Sequence, residues 1–388
     1  MKSVLMVSAA ANMIWQFNRR NIEILQELGV KVVVATNFEK PGTIDQQEVQ
    51  KMKAWFDAKN IAYEQIDFER GMGSLKSNFR VIKQLREVIR NKHIDIIHSQ
   101  SPIGGVLSRI AGFLEHTLNI YTAHGFHFFK GAPLKYWLVF FPIEYSLSFV
   151  TDLLITINDE DYARARHMHA KIVAQIPGVG VDVDAAMAVS KSQRAEIRQS
   201  VRGELGLSPD DFMILNIGEL SHRKNQIMLL RAMSQLGQQN VHVFLAGIGP
   251  DELLLRQMAS DLDIKQQVHF LGYRNDIRNL HYAADVNVFP SRQEGLALGG
   301  LESVVDGLYI LGSNVRGIRD YIIDDDIGQT FKLGQEARLA ELISEIEQSR
   351  PRISDEKILS LKKYDRKNVD YQMQKLYSKI LGVDMDVS

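Results

Sequence analysis

The sequence predicts two α/β domains in series, each a Rossmann-like parallel sheet covered by helices, facing one another across a cleft. Three observations lead there. Short β-branched runs alternate with amphipathic helical stretches almost from end to end, the pattern of βαβ units. The 388 residues exceed one ordinary domain and suit two of roughly 150 to 200 each. Finally, Pro177-Gly178-Val179-Gly180 interrupts the middle of the chain, where a first domain would end.

In the first half, strands are predicted at residues 3–7, 31–35, 62–66, 94–98, 120–122 and 153–156. Most are Val-, Ile- or Leu-rich runs bounded by turn or polar residues. Apolar residues three and four apart give helices over 17–28 and 75–90, and a weaker strand follows at 172–176. The second half repeats the alternation, with strands at 212–217, 241–246, 268–271, 286–289 and 309–312. Helices are predicted over 225–236, 251–262 and 300–306, and after about residue 336 only helical periodicity continues. The resulting division is 1–180, 181–365 and a terminal segment 366–388. Ligands of such sheets sit at the carboxyl ends of the strands, where the loops converge.

An apolar fraction of 45% and a charged fraction of 24% are ordinary for a globular chain. A net charge of −1 excludes a general nucleic-acid binder, which carries a basic excess. The charge is uneven: residues 1–180 hold about four more basic than acidic side chains and the remainder is about five acidic. That bias suits an anionic surface or a phosphate-bearing acceptor; chance explains it equally well. With no cysteine, disulfides and thiolate metal sites are excluded, which is compatible with a reducing cytoplasm. Residues 1–7 are too short an apolar run for a signal peptide and read as a buried strand. The apolar stretch 132–150 is broken by Lys135, Pro142 and Glu144, short of the roughly 20 clean residues that span a bilayer. The expectation is a soluble or peripheral protein. Lys130, Lys135, Tyr136, Trp137, Phe140 and Phe141 suit a bilayer interface; an ordinary core helix is the alternative.

The chemistry concentrates in Glu294-Gly295-Leu296-Ala297-Leu298-Gly299-Gly300-Leu301-Glu302. A strand, a Gly-rich turn and a helix start present backbone amides to an anion. Carboxylates repel phosphates, so Glu294 on the loop and Glu302 in the opening turns of the helix would bind ribose and sugar hydroxyls. A nucleotide-sugar pocket follows. Arg223 and Lys224, at another strand-to-helix turn, are placed to neutralise a diphosphate leaving group; a solvated basic helix start is the alternative. Gly247 and Gly249 after a strand would let a nucleotide lie close, or merely permit a tight turn. His124, before Gly125, would donate a hydrogen bond to sugar or phosphate, or sit as a turn residue among Phe126, Phe128 and Phe129. With His127, His167 and His169 it suggests a metal site, which the lack of an adjoining carboxylate pattern argues against. Asp324-Asp325-Asp326 reads as an exposed turn and Asn158 as a helix cap before three acids.

Taken together these segments resemble retaining glycosyltransferases of the GT-B fold, glycosyltransferase family 4, over most of the chain. Glu294 and Glu302, with Pro290-Ser291 before them, are the most specific part. Tyr121-Thr122-Ala123-His124-Gly125-Phe126-His127-Phe128, the run from Ile157 to Tyr162 and the run from Val315 to Asp320 are similar to the bacterial exopolysaccharide and capsule branch. The resemblance implies that the second domain binds a nucleotide-diphosphate sugar, a uridine one in this reading. The first would then take a lipid-linked (polyprenyl diphosphate) glycan acceptor, with the terminal helix crossing back to it. Glu302 would hold the ribose and Glu294 the donor sugar. Lys224 would bind the diphosphate beside the Gly299 and Gly300 backbone, and His124 would reach the donor sugar or its phosphate. No metal or other cofactor is implied. An epimerase or phosphorylase of the same fold, or a non-catalytic partner subunit, is the alternative. Three positions depart from the family pattern. Glu219 replaces the usual arginine, which Arg223 would substitute; Ser8-Ala9-Ala10-Ala11-Asn12 replaces a glycine-rich turn; Gly307-Leu308-Tyr309 replaces a Gly-x-Pro turn.

Overall fold

The computed structural model describes residues 1–383. They form two compact units, Met1–Val179 rejoined by the chain from Lys367 onward, and Gly180–Arg366.

The first unit holds β1 (Ser3–Val7), β2 (Lys31–Thr36), β3 (Ala62–Gln65), β4 (Ile96–Ser99), β5 (Leu118–Ala123), β6 (Leu153–Thr156) and β7 (Ile172–Gln175). All neighbours pair in parallel, in the order β3-β2-β1-β4-β5-β6-β7. The chain reverses direction across the sheet between β1 and β4, so the loops after these two strands splay apart into a crevice. Every residue of β1 and β4 is buried, as central parallel strands covered on both faces require. Leu5, Val33, Ile97, Leu85 and Leu107 share one core cluster, which joins the sheet to helices Leu75–Lys92 and Pro102–Leu114. The helix expected over 17–28 is found as Arg19–Glu27, and a short helix that the sequence pattern did not announce, Ala11–Phe17, precedes it. They divide at buried Asn18, whose side chain donates to the Met13 carbonyl and accepts from Asn21, a local alternative to continuous helix. The terminal helix Arg366–Leu381 buries Val369, Met373, Tyr377 and Leu381, spaced four apart, in this unit. Arg20 Nε pairs with Asp370 at 2.7 Å and Lys2 Nζ donates to the Leu381 carbonyl at 2.6 Å.

The second unit holds β8 (Phe212–Ile217), β9 (Val241–Ala246), β10 (Val268–Gly272), β11 (Val286–Phe289), β12 (Ile310–Ser313) and β13 (Gly328–Phe331). Their order, β10-β9-β8-β11-β12-β13, again reverses between the first and fourth strands, β8 and β11. The edge strand β13 is one the sequence pattern did not announce. Phe212, Ile214, Val243, Leu245, Val288 and Leu311 form the sheet side of its core, against Leu229, Leu230, Leu342 and Ile343 from the helices. Among the described residues no helix is long and apolar enough to cross a membrane.

Candidate active site

The β8 and β11 loops meet at the switch point of the second sheet, and polar side chains hold them together. Asn225 caps helix Gln226–Met233 in the left-handed conformation, φ 59°. Its amide donates to the Pro290 carbonyl at 3.0 Å and accepts from Arg292 at 2.8 Å. The Arg292 amide donates to the Arg223 carbonyl at 2.8 Å. Beneath them Asn216 donates to the Val288 carbonyl at 2.7 Å, tying β8 to β11. Ser313 and buried Arg316 donate to the Ser291 and Glu294 carbonyls, bracing the second loop from the far side.

On this frame sits a carboxylate held by two cations. Glu294, 7% exposed, accepts from Lys224 Nζ at 2.7 Å and from Arg223 Nη1 at 3.1 Å. Burial alone would push its carboxyl up; Lys224 and Arg223 outweigh that and hold it below the usual carboxylate range. Gly218, at φ +143°, adopts a backbone that side chains avoid and leaves room for the Lys224 stem. A Cβ there would lie 3.2 Å from Lys224 Cε. The Lys224 ammonium also lies 4.7 Å from the Phe289 ring centre, which screens it from water.

The other sequence candidates divide by what surrounds them. Glu302 lies in the second turn of helix Leu298–Val305 and is exposed. Desolvation by its neighbours still pushes its carboxyl up, with His281 opposing and Asp306 adding to the effect. Gly299 has only ordinary contacts, its nearest neighbour being the Phe289 ring at 3.7 Å. In this first turn its amide lacks an intrahelical acceptor. The Gly300 amide, by contrast, donates to the Ala297 carbonyl, and a Cβ on Gly300 would lie 2.2 Å from the buried Tyr321 hydroxyl. Gly247 is a packing glycine: its Cβ would lie 1.9 Å from the Gly218 carbonyl oxygen, so these two loop backbones touch.

His124 lies in the first unit, just past β5. It is partly buried, and its Nε2 is 2.8 Å from Gln100 Oε1. His127 stacks on Phe140, and Asn158 caps helix Asp159–Ala165 by accepting from the Asp161 amide. At the carboxyl ends of this unit's strands is a cavity of about 690 Å³. It is walled by Phe68, Phe126, Phe128, Tyr136 and Phe140, with Lys40 and Arg70 also on its lining. Its floor includes Glu144, buried and paired with Arg109 at 2.7 Å, a residue the sequence marked only as a break in an apolar run. Asn225, Arg292, Gln100 and the Arg316 brace were also missed; Asn225 beside the basic pair was the one local signal.

Two doubly wound parallel sheets, the second with a cation-held carboxylate beside a glycine-rich helix start at its switch point, define an α/β protein of two Rossmann-like units. Comparison with known proteins makes this specific. Residues 197–368 match the model for glycosyl transferases group 1, and residues 19–203 the model for Glycosyltransferase Family 4. The chain is 36% identical over 276 residues to "Putative glycosyltransferase EpsD" of Bacillus subtilis (strain 168), covering 69% of this chain and 71% of that one. It is 27% identical over 299 residues, 74% of this chain and 73% of the other, to the Escherichia coli UDP-Gal:alpha-D-GlcNAc-diphosphoundecaprenol alpha-1,3-galactosyltransferase. Anabaena HepE, crystallised with UDP and glucose, superposes with a TM-score of 0.76 at 18% identity, over 98% of this chain and all of that one. The chain belongs to glycosyltransferase family 4, has the GT-B fold and is a transferase enzyme.

Proposed function

We propose that the chain is a retaining, metal-independent transferase. It would move a sugar from a uridine diphosphate donor to a glycan on a polyprenyl diphosphate carrier. Its setting would be exopolysaccharide, capsule or O-antigen synthesis at the inner face of the cytoplasmic membrane. The observation that carries the donor half is Glu294 held between Lys224 and Arg223 at the switch point. A diphosphate would draw the two cations, leaving the carboxylate to accept from sugar hydroxyls. Glu302 would take the ribose, and the Gly299 amide would face the diphosphate. Gly247 and Gly300 would shape the backbone around it, and His124 would bind the donor sugar or its phosphate. In the reaction the acceptor oxygen bonds to the anomeric carbon and the bond to the diphosphate breaks. The acceptor proton passes to a diphosphate oxygen. Charge on the leaving group is met by Lys224 and Arg223. Support for the nucleotide and the carrier comes from the names of the E. coli galactosyltransferase and of HepE with UDP.

The apolar chamber with Lys40 and Arg70 suits a carrier lipid ending in a diphosphate. Peripheral membrane contact is part of the same reading. Helix Leu134–Ser148 turns Trp137 and Phe140 inward, while Leu134, Leu138 and Phe149 just beyond it are 72%, 69% and 61% exposed.

The test is incubation with a panel of UDP-sugars and a polyprenyl diphosphate N-acetylglucosamine acceptor, with and without chelator, and the product's anomeric configuration read by NMR. Acceptor-dependent transfer with retention, unaffected by chelator, is expected. Donor turnover without acceptor would instead mean an epimerase, and a need for inorganic phosphate a phosphorylase.

A further inference from the structure

We infer that Tyr377 of the terminal helix, with His98 and Gln100, forms a buried relay that fixes which nitrogen of His124 carries its proton. These three are positioning residues, and the inference rests on the reading of His124 given above. Four contacts make the chain: Tyr377 Oη to His98 Nδ1, Thr122 Oγ1 to His98 Nε2, Gln100 Nε2 to His98 Nε2, and Gln100 Oε1 to His124 Nε2. Each is 2.8 Å long. His98, Gln100, Thr122 and Tyr377 are at most 3% exposed.

Each member's role is set by its neighbour. An amide oxygen only accepts, so His124 Nε2 carries hydrogen and donates to Gln100. The amide nitrogen only donates, so His98 Nε2 is bare and accepts from Gln100 and from the Thr122 hydroxyl. The remaining proton of His98 is therefore on Nδ1 and goes to the Tyr377 hydroxyl. Burial favours the neutral form of both rings, lowering His98 to about 3 and His124 to about 4. The consequence falls on His124 Nδ1, which takes no hydrogen bond from any described residue and holds a lone pair. So placed, His124 accepts from a hydroxyl and does not donate to a phosphate oxygen. This narrows the partner expected for it to an alcohol group of the donor sugar.

A purely structural plug does not need this arrangement. Four polar groups in the interior cost desolvation unless every one is matched, and apolar side chains of equal size would fill the space. Loss of the Tyr377 hydroxyl leaves the His98 Nδ1 proton unmatched. His98 then gains by moving its proton to Nε2, the Gln100 amide turns over, and the His124 proton moves to Nδ1.

The experiment uses full-length protein labelled with 15N histidine, whose two-bond proton–nitrogen correlations report each tautomer. The wild type is expected to show His124 protonated at Nε2 and His98 at Nδ1. Tyr377→Phe should mix both tautomers, lower kcat about tenfold and leave the donor KM within about twofold. Gln100→Leu should do the same to His124, and the double variant should be no slower than Gln100→Leu alone, because both act along one path. A wild-type His124 protonated at Nδ1 overturns the proposal without any variant. So does Tyr377→Phe with unchanged tautomers and unchanged kcat. His124→Ala is the separate control: full activity there sinks the role given to His124, while the tautomer coupling is still decided by the spectra.

Discussion

At Glu294, two cations already hold the carboxylate, and that decides what its removal does. Glu294→Gln takes the counter-charge from Lys224 and Arg223, so UDP should bind as well as before or better. Transfer of the sugar should nonetheless fall by about a hundredfold, since the hydroxyl contact strengthened in the transition state is weakened. Calorimetric titration with UDP beside steady-state kinetics separates the two effects; parallel losses in both would contradict the assignment. Lys224→Met should do the reverse to UDP, weakening it. It should also cost about 3 kcal/mol of stability, because a buried carboxylate loses its nearer partner. The buried histidines give a pH dependence whose sign is fixed. A folded-state pKa lowered to about 3 for His98 means the unfolded chain takes up the proton first as pH falls. Its contribution is complete above the ordinary histidine value of about 6.5 and is lost as pH falls below it. His98 alone supplies a slope of up to about 1.4 kcal/mol per pH unit in that window. Urea melts from pH 7 to 4.5 should show the decline, and a flat midpoint would count against neutral burial.

Among the elements, helix Leu298–Val305 offers a contrast within one glycine pair. Gly299→Ala adds a methyl where contacts begin at 3.7 Å, so the protein should melt as the wild type does; any loss should appear in donor binding. Gly300→Ala places its methyl 2.2 Å from the Tyr321 hydroxyl and should cost about 1 to 3 kcal/mol, as overpacking does. Tyr321→Phe in the same chain should recover part of that loss, measured as a denaturation midpoint. From sequence the two glycines look alike, because what separates them is a tyrosine 21 positions away in sequence. The same reason sorts the rest of the fold. β1 and β8 were legible because strands covered on both faces read as near-continuous apolar runs, with Asn216 the one polar residue inside β8. β13, Gly-Gln-Thr-Phe, was not: it is a four-residue edge with only its two ends buried. Helix Ala11–Phe17 was not legible either, because only Ala11 and Ile14 of its seven residues are buried, too few to set a period. Turn chemistry singled out Glu294, Lys224 and Glu302, and of these the structure pairs Glu294 with Lys224. The bonds from Asn225 to Pro290 and from His98 to Tyr377 span 65 and 279 positions, beyond any local pattern.

For the whole molecule, the chain leaves its first unit at Val179, builds the second, and returns its last helix to the first. The returning segment is not an appendage there. Val369, Met373, Tyr377 and Leu381 are each at most 3% exposed, and Asp370 is paired with Arg20. Deleting it uncovers an apolar surface on the first unit, and at about 1.5 to 3 kcal/mol for each large buried side chain the loss is a sizeable part of a domain's stability of about 5 to 15 kcal/mol. The second unit's sheet and core draw on residues 180–366 alone. A chain stopped after Arg366 should therefore lose stability unequally. Calorimetry should show one transition shifted well below its wild-type position while the other, identified by its response to UDP, keeps its midpoint and its stabilisation by ligand. Binding of UDP would persist in that truncated chain and sugar transfer would not. If instead both transitions fell together, the second unit would depend on the terminal helix as much as the first does, and the assignment of that helix to the first unit's core alone would be wrong.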